Sequence, residues 1–251
     1  MDEVLIEKIN HITIIRLNRP ERRNAVDSKT SDMLYRAFHD FLKEDCQYIA
    51  IITGNDNFSA GADLNDVNEM SKNVLSSNGP MGFTRLTSNK PVIAAISGYC
   101  VAGGLEMALF ADIRIADRTT KLGFLERRFG IPLIDGGTQR LPRIIGLGRA
   151  MDLILTGKLI NAEEAYNIGL INYIAENGRS LEKAIEIAEN IISYPLKTLV
   201  NDRNAVYEGL DLKLEDALMV EARYGKNTLD SGIALRGSKE FISGKGRHGK
   251  I

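Results

Sequence analysis

Between Val92 and Ala111 the chain runs for twenty residues with a single charge, Glu106. Such a stretch must be hidden from water, in a bilayer or in a core thick enough to cover it. As one helix, roughly twenty apolar residues would span a bilayer. Pro91 ahead of the stretch and Ser97, Gly98, Gly103 and Gly104 within it break that helix. A spanning segment would also hold the Glu106 carboxylate in hydrocarbon. A buried strand over Val92–Ile96, a glycine turn and a buried helix over Gly103–Phe110 fit the pattern better. No membrane partner is expected. The 251 residues are 44% apolar and 26% charged, enough for such a core and unlike a disordered chain.

Strands alternate with helices around this segment. His11–Leu17, Tyr48–Thr53 and Asp112–Ala116 read as apolar, β-branched strands, and Ser28–Leu42 repeats its apolar residues at helical spacing. This order predicts βα units with largely parallel pairing, an α/β fold. The second half turns helical. Asn161 with Glu164 three residues on is an N-cap signal and Gly169 a stop. Ser180–Ser193 is amphipathic, and helices are expected from Leu196 to Phe241. The best boundary lies near Tyr194–Pro195, giving regions 1–195 and 196–251.

Several functions are disfavoured by what the chain lacks. Lys and Arg number 32 against 33 Asp and Glu, so the excess of positive charge that grips nucleic acid is missing. Two cysteines, Cys46 and Cys100, make no disulfide framework and fit a reducing compartment; a cytoplasmic location is expected. Met1 to Asn10 has no basic run before an apolar stretch, so no signal peptide is expected. His11, His39 and His248 match no metal spacing. No nucleophile elbow or P-loop is present.

Two glycine turns, each following a strand, carry the chemistry instead. One is Phe58-Ser59-Ala60-Gly61-Ala62-Asp63-Leu64, the other Gly98 to Glu106. Small residues admit a ligand close to the backbone. A free N–H from each turn could meet at one carbonyl oxygen, and a helix N-terminus in the second would favour negative charge there. Two tight turns serving only packing would leave the same residues. Glu106 in its apolar segment must be paired, protonated or functional. Glu126 follows an apolar run as well; the alternative for it is an ion pair with Arg127 or Arg128. Two carboxylates at one site can divide acid and base work. Basic residues cluster at Arg19, Arg22 and Arg23, and at Lys239, Lys245, Arg247 and Lys250. Either cluster could meet a phosphate or be plain solvated surface.

These motifs resemble one family. Leu17-Asn18-Arg19-Pro20 with Asn24-Ala25, then FSAGADL at 58–64, GYCVAGGLE at 98–106, Gly136 to Pro142 and the tail from Phe241 to Arg247 occur in the order of the crotonase (enoyl-CoA hydratase/isomerase) superfamily. The resemblance spans essentially the whole chain. It implies a ββα spiral core to about residue 195 and a helical C-terminal region used for assembly into homotrimers or dimers of trimers. It implies an acyl-CoA substrate, no metal, and no cofactor beyond the coenzyme A of the substrate. The backbone N–H groups of Ala60 and Gly103 would form the oxyanion hole. Arg22, Arg23 and the loop Ala60, Gly61, Ala62, Asp63 and Leu64 would hold coenzyme A. Glu106 would activate a water for attack on Cβ of a trans-2-enoyl-CoA, and Glu126 would protonate Cα, giving a 3-hydroxyacyl-CoA.

Having both glutamates favours this hydro-lyase reading over two rivals. One is an enoyl-CoA isomerase or other enolate chemistry on an acyl-CoA. The other is a non-catalytic, CoA-binding or RNA-associated member. Three departures stand out. Arg127-Arg128 replace apolar residues of the hydratase pattern, Ile134 is expected to narrow the acyl space, and Asp135 adds a carboxylate where small residues are common.

Overall fold

A computed structural model of the protein describes residues 2–244. Lys245, Arg247 and Lys250 of the second basic cluster lie outside the described residues.

The chain opens with a hairpin. β1 (Val4–Ile9) pairs antiparallel with β2 (Ile12–Leu17), turning through Asn10 at φ 53°. The helix α1 (Ser28–Lys43) starts where Asp27 accepts the Thr30 N–H and buries Leu34, Ala37, Phe38 and Phe41. β3 (Ile49–Thr53), the short α2 (Val67–Ser71), β4 (Val92–Ile96) and β5 (Tyr99–Val101) follow. Next come α3 (Gly103–Phe110), β6 (Ile113–Asp117) and β7 (Lys121–Gly123). The first part ends with α4 (Gly137–Ile145), α5 (Leu147–Thr156), β8 (Ile160–Asn161), α6 (Ala162–Asn167), β9 (Tyr173–Ala175) and α7 (Ser180–Ile192).

Six strands form one sheet in the order β1-β2-β3-β4-β6-β9, parallel from β2 onward. A sheet buried on both faces needs strands apolar on both faces. β3 and β4 meet this, every residue in each being buried. A smaller sheet, β5-β7-β8, carries the second glycine turn at the end of β5.

The stretch from Val92 to Ala111 folds as the glycines dictate, as β4, β5 and α3. All eight residues of α3 are buried, Glu106 among them. Among the described residues no helix is long and apolar enough to cross a membrane. The expected mixed α/β fold is present, with α6 capped by the Asn161 side chain on the Glu164 N–H. β1 is not among the strands expected from the sequence: its short apolar run Val4-Leu5-Ile6 is broken by Glu7-Lys8, and five of its six residues are not buried.

The chain divides into two compact units after Glu189, within α7. Pro195, near the expected boundary, precedes α8 (Leu196–Gly209), followed by α9 (Leu214–Asp230) and α10 (Ile233–Ile242). In this unit the buried Asn201 amide joins α8 to α9 by donating to the Thr228 hydroxyl at 2.8 Å.

Candidate active site

Backbone pairing draws the two glycine turns together. Ser59 N–H donates to Tyr99 O at 3.0 Å and Val101 N–H to Ser59 O at 3.1 Å. A Cβ on Gly61 would stand 2.8 Å from the Ala102 Cβ and 2.9 Å from the Gly103 nitrogen, too close for any side chain. Gly61 itself sits at φ 91°. Ala102 takes φ 53° and ψ −131°, a conformation alanine adopts only under strain. That kink starts α3 and leaves the Gly103 N–H in the first turn of the helix, where no intrahelical acceptor exists.

Around this junction lies a cavity of about 630 Å³. Ala62, Gly103, Glu106, Glu126, Ile134 and Asp135 all line it. Neither the Ala62 N–H nor the Gly103 N–H has an acceptor among the described residues. A Cβ on Gly103 would lie 3.6 Å from the Ala62 nitrogen, so the two donors face one small volume. Met81 closes it, its Cε 2.8 Å from that same Cβ position.

The two glutamates are held very differently. Glu106 Oε1 accepts the N–H groups of Asp135 at 2.9 Å and Gly137 at 2.8 Å. Burial pushes its pKa up to about 7, with the Asp135 and Glu126 charges adding to the rise and the two N–H donors opposing it. Glu126 lies in the short helical turn Leu125–Phe129, and both its carboxylate oxygens are buried without a hydrogen-bond partner. Burial raises its pKa to about 6, its own turn's backbone and the Arg127 charge working the other way. It makes no ion pair with Arg127 or Arg128. Both arginines are exposed, and Arg128 reaches the Gly157 carbonyl.

A family model of enoyl-CoA hydratase/isomerase matches residues 7–244. The chain belongs to the enoyl-CoA hydratase/isomerase family. It is 34% identical over 229 residues to the short-chain-enoyl-CoA hydratase of Clostridium acetobutylicum, covering 88% of this chain and 87% of that one. It is 31% identical to the 2,3-dehydroadipyl-CoA hydratase of Escherichia coli, covering 88% of each. The crystal structure of an enoyl-CoA hydratase from Mycobacterium tuberculosis superimposes with a TM-score of 0.91, at 34% identity and over 96% of both chains. The crotonase-like fold expected from the motifs is thereby shown.

Within this family fold, one expected donor needs correction. The Ala60 N–H is not free, because it donates to the Arg23 carbonyl at 2.9 Å. Two consecutive left-handed residues, Arg23 at φ 49° and Asn24 at φ 56°, bring that carbonyl there. The free N–H is two residues on, at Ala62. The alternating geometry of the turn contains the signal, but the sequence alone does not say which peptide points into the cavity.

Of the residues expected to hold coenzyme A, Arg23, Ala60, Ala62 and Leu64 line the cavity, whereas Arg22, Gly61 and Asp63 do not. Arg22 is exposed. Asp63 is turned inward to Arg19, 3.3 Å away, and Arg19 also meets Asp27 at 2.9 Å. Burial works against the Asp63 carboxylate, but hydrogen bonds from Asn65 and the charges of Arg19 and Arg22 outweigh it and lower its pKa. Arg19 is thus a brace for the turn and not surface charge. The carboxylate that Asp135 adds is buried, and its Oδ1 accepts the Met81 N–H at 3.0 Å and the Thr84 hydroxyl.

Proposed function

We propose that the protein is an enoyl-CoA hydratase, a hydro-lyase that adds water across the double bond of a trans-2-enoyl-CoA. The observation that carries this is the convergence of Glu106, Glu126 and the unpartnered N–H groups of Ala62 and Gly103 on one cavity.

The thioester oxygen accepts from the two N–H groups, and charge arriving there during attack is stabilised by donors already in place. In such holes one aimed donor is worth roughly 3–4 kcal/mol. Glu106, fixed through Oε1, offers its other oxygen to a water and takes its proton as the water oxygen bonds to Cβ. The π electrons move toward the thioester as an enolate. Glu126 then gives its proton to Cα, and the proton taken up by Glu106 passes back to Glu126 through water in the shared cavity once product leaves. Glu106 keeps its two donors throughout. Glu126 has none, so an acyl chain that takes water from it favours its neutral, proton-donating form.

Arg23, over the Tyr99 ring at 5.2 Å, and the exposed Arg22 suit the phosphates of coenzyme A at the entrance. The substrate brings the only coenzyme this reading requires. We assign α8 to α10 to contacts with further copies of the chain, in a trimer or dimer of trimers. Exposed Tyr207, Leu218, Met219, Leu229 and Phe241 support this. The free cysteines Cys46 and Cys100 suit a reducing compartment such as the cytoplasm.

The test is loss of the enoyl-thioester absorbance of crotonyl-CoA and of a longer 2-enoyl-CoA. Hydration is expected. Binding of both without hydration would overturn the reading, and conversion of a 3-enoyl-CoA to a 2-enoyl-CoA would then point to the isomerase chemistry.

A further inference from the structure

The charged side chains lining the cavity are Arg23, Glu106, Glu126 and Asp135. The Arg23 guanidinium lies over the Tyr99 ring at 5.2 Å, and its carbonyl holds the Ala60 N–H. The other three are carboxylates, and they cluster where the acyl group must lie. Ile131 N–H donates to the Glu126 carbonyl at 3.2 Å, and Ile134 precedes the Asp135 N–H that holds Glu106. Val74 and Ile134 are tied to each other through Arg85, whose guanidinium donates to both carbonyls. Ile131, Ile134 and Val74 therefore wall the space next to the two glutamates, and all three line the cavity.

Among the described residues no cation lines that space beside the three carboxylates. Arg85 stands behind the wall with its guanidinium donating to the carbonyls of Val74, Ser76 and Ile134. Arg140 donates to the carbonyls of Asp135 and Thr84. Neither arginine lines the cavity, and Asp135 forms no ion pair among the described residues. An anionic group entering here would give up its water and meet the three carboxylates at close quarters, with the Arg85 and Arg140 charges acting on Asp135 only from behind the wall.

We infer that the acyl compartment selects by charge, taking acyl groups that are uncharged beyond Cβ and turning away those ending in a carboxylate, with Asp135 as the specificity-determining residue this chain adds to the two glutamates. This rests on the cavity being the acyl-CoA site. The Asp135 carboxylate is anchored by the Met81 N–H and the Thr84 hydroxyl, so it cannot swing away from an incoming anion. Its position follows from the same segment that supplies the Asp135 and Gly137 N–H groups to Glu106.

The experiment is calorimetric binding of the saturated hexanoyl-CoA, 6-hydroxyhexanoyl-CoA and adipyl-CoA, which needs no turnover. Hexanoyl-CoA is expected to bind at least about tenfold more tightly than adipyl-CoA, from repulsion at an intermediate dielectric. The neutral, polar hydroxyhexanoyl group is expected to fall much nearer to hexanoyl. In Asp135→Asn, whose amide oxygen can still accept from Met81 and Thr84, the gap is expected to narrow about threefold or more. Equal binding of adipyl- and hexanoyl-CoA by the wild type overturns the proposal, and that comparison stands even if the variant does not fold. Hydroxyhexanoyl-CoA as weak as adipyl-CoA overturns it too, because the filter would then be polarity. An unchanged gap in Asp135→Asn removes Asp135 from the role. Failure of all three to bind would instead remove the acyl-CoA reading itself.

Discussion

Two short segments bring a glutamate to the same cavity, and they hold it in opposite ways. In α3, Glu106 sits on a fully buried helix and accepts two backbone N–H groups through one oxygen. In the turn Leu125–Phe129, Glu126 is equally hidden from solvent and accepts from nothing. Burial is the largest cause of the rise in both pKa values, with neighbouring carboxylate charges adding to that of Glu106, so exposure does not tell them apart. Hydrogen bonding does. A carboxylate with fixed donors has a defined direction for a base, whereas one without donors takes its protonation from what the bound acyl chain does to the water around it. The pair therefore looks like a division of labour built from environment and not from residue type.

The largest effect expected from this comparison is on rate. Glu106→Gln and Glu126→Gln should each lower kcat for crotonyl-CoA hydration by roughly 10²–10⁴-fold, the usual worth of a positioned acid or base. Binding of saturated acyl-CoA should change little, since the N–H groups of Ala62 and Gly103 remain. Steady-state rates with crotonyl-CoA check this. A variant that keeps most of the wild-type kcat has lost its place in the mechanism, and the division between the two segments falls with it.

Stability should separate the segments in the other direction. Glu106→Ala leaves the Asp135 and Gly137 N–H groups without their acceptor. At about 1–3 kcal/mol for each buried, unsatisfied group, a loss of roughly 2–6 kcal/mol is expected. Glu126→Ala breaks no hydrogen bond and removes a carboxylate that burial penalises, so its effect should stay within about 1 kcal/mol. Denaturant unfolding at one protein concentration reads both, because assembly would otherwise shift the midpoint. Equal losses in the two variants would mean that Glu126 has partners in solution that mirror those of Glu106.

Much of this contrast was legible in the sequence, and the part that was not has a physical reason. Glu106 announced itself as the single charge in an apolar stretch, and Gly98, Gly103 and Gly104 told where that stretch must break. The strand over Val92–Ile96 and the helix over Gly103–Phe110 follow directly. The free donor did not follow. Whether Ala60 or Ala62 points its N–H into the cavity depends on Arg23 and Asn24 adopting left-handed backbone more than thirty residues away, which no local pattern encodes. The inward turn of Arg19 toward Asp63 and Asp27 was hidden for the same kind of reason, since the pairing is long-range. β1 escaped because, as an edge strand open to solvent, it carries only the short run Val4-Leu5-Ile6 before Glu7 and Lys8 break the pattern.

The smallest effect is a dependence on pH, and it sharpens the comparison because the two windows differ. Both glutamates have folded pKa values above the ordinary 4.5, about 7 for Glu106 and about 6 for Glu126. Above pH 4.5 the folded protein holds protons that the unfolded chain has released. The stability each group contributes is therefore complete below about pH 4.5 and is lost as pH rises through its folded value. A glutamine at either position removes that dependence. Relative to the wild type, the Tm of Glu126→Gln should climb with pH and level off just above about 6, while that of Glu106→Gln should keep climbing to about 7. Asp135, also raised by burial, contributes with the same sign in all three proteins; it drops out of the Glu126→Gln difference, whereas its coupling to Glu106 adds to the Glu106→Gln one. Thermal unfolding between pH 4.5 and 8 reads both curves. If the Glu126→Gln difference stays flat across that range, Glu126 is already solvated in the folded protein, and the contrast between a tethered and an orphaned carboxylate does not hold.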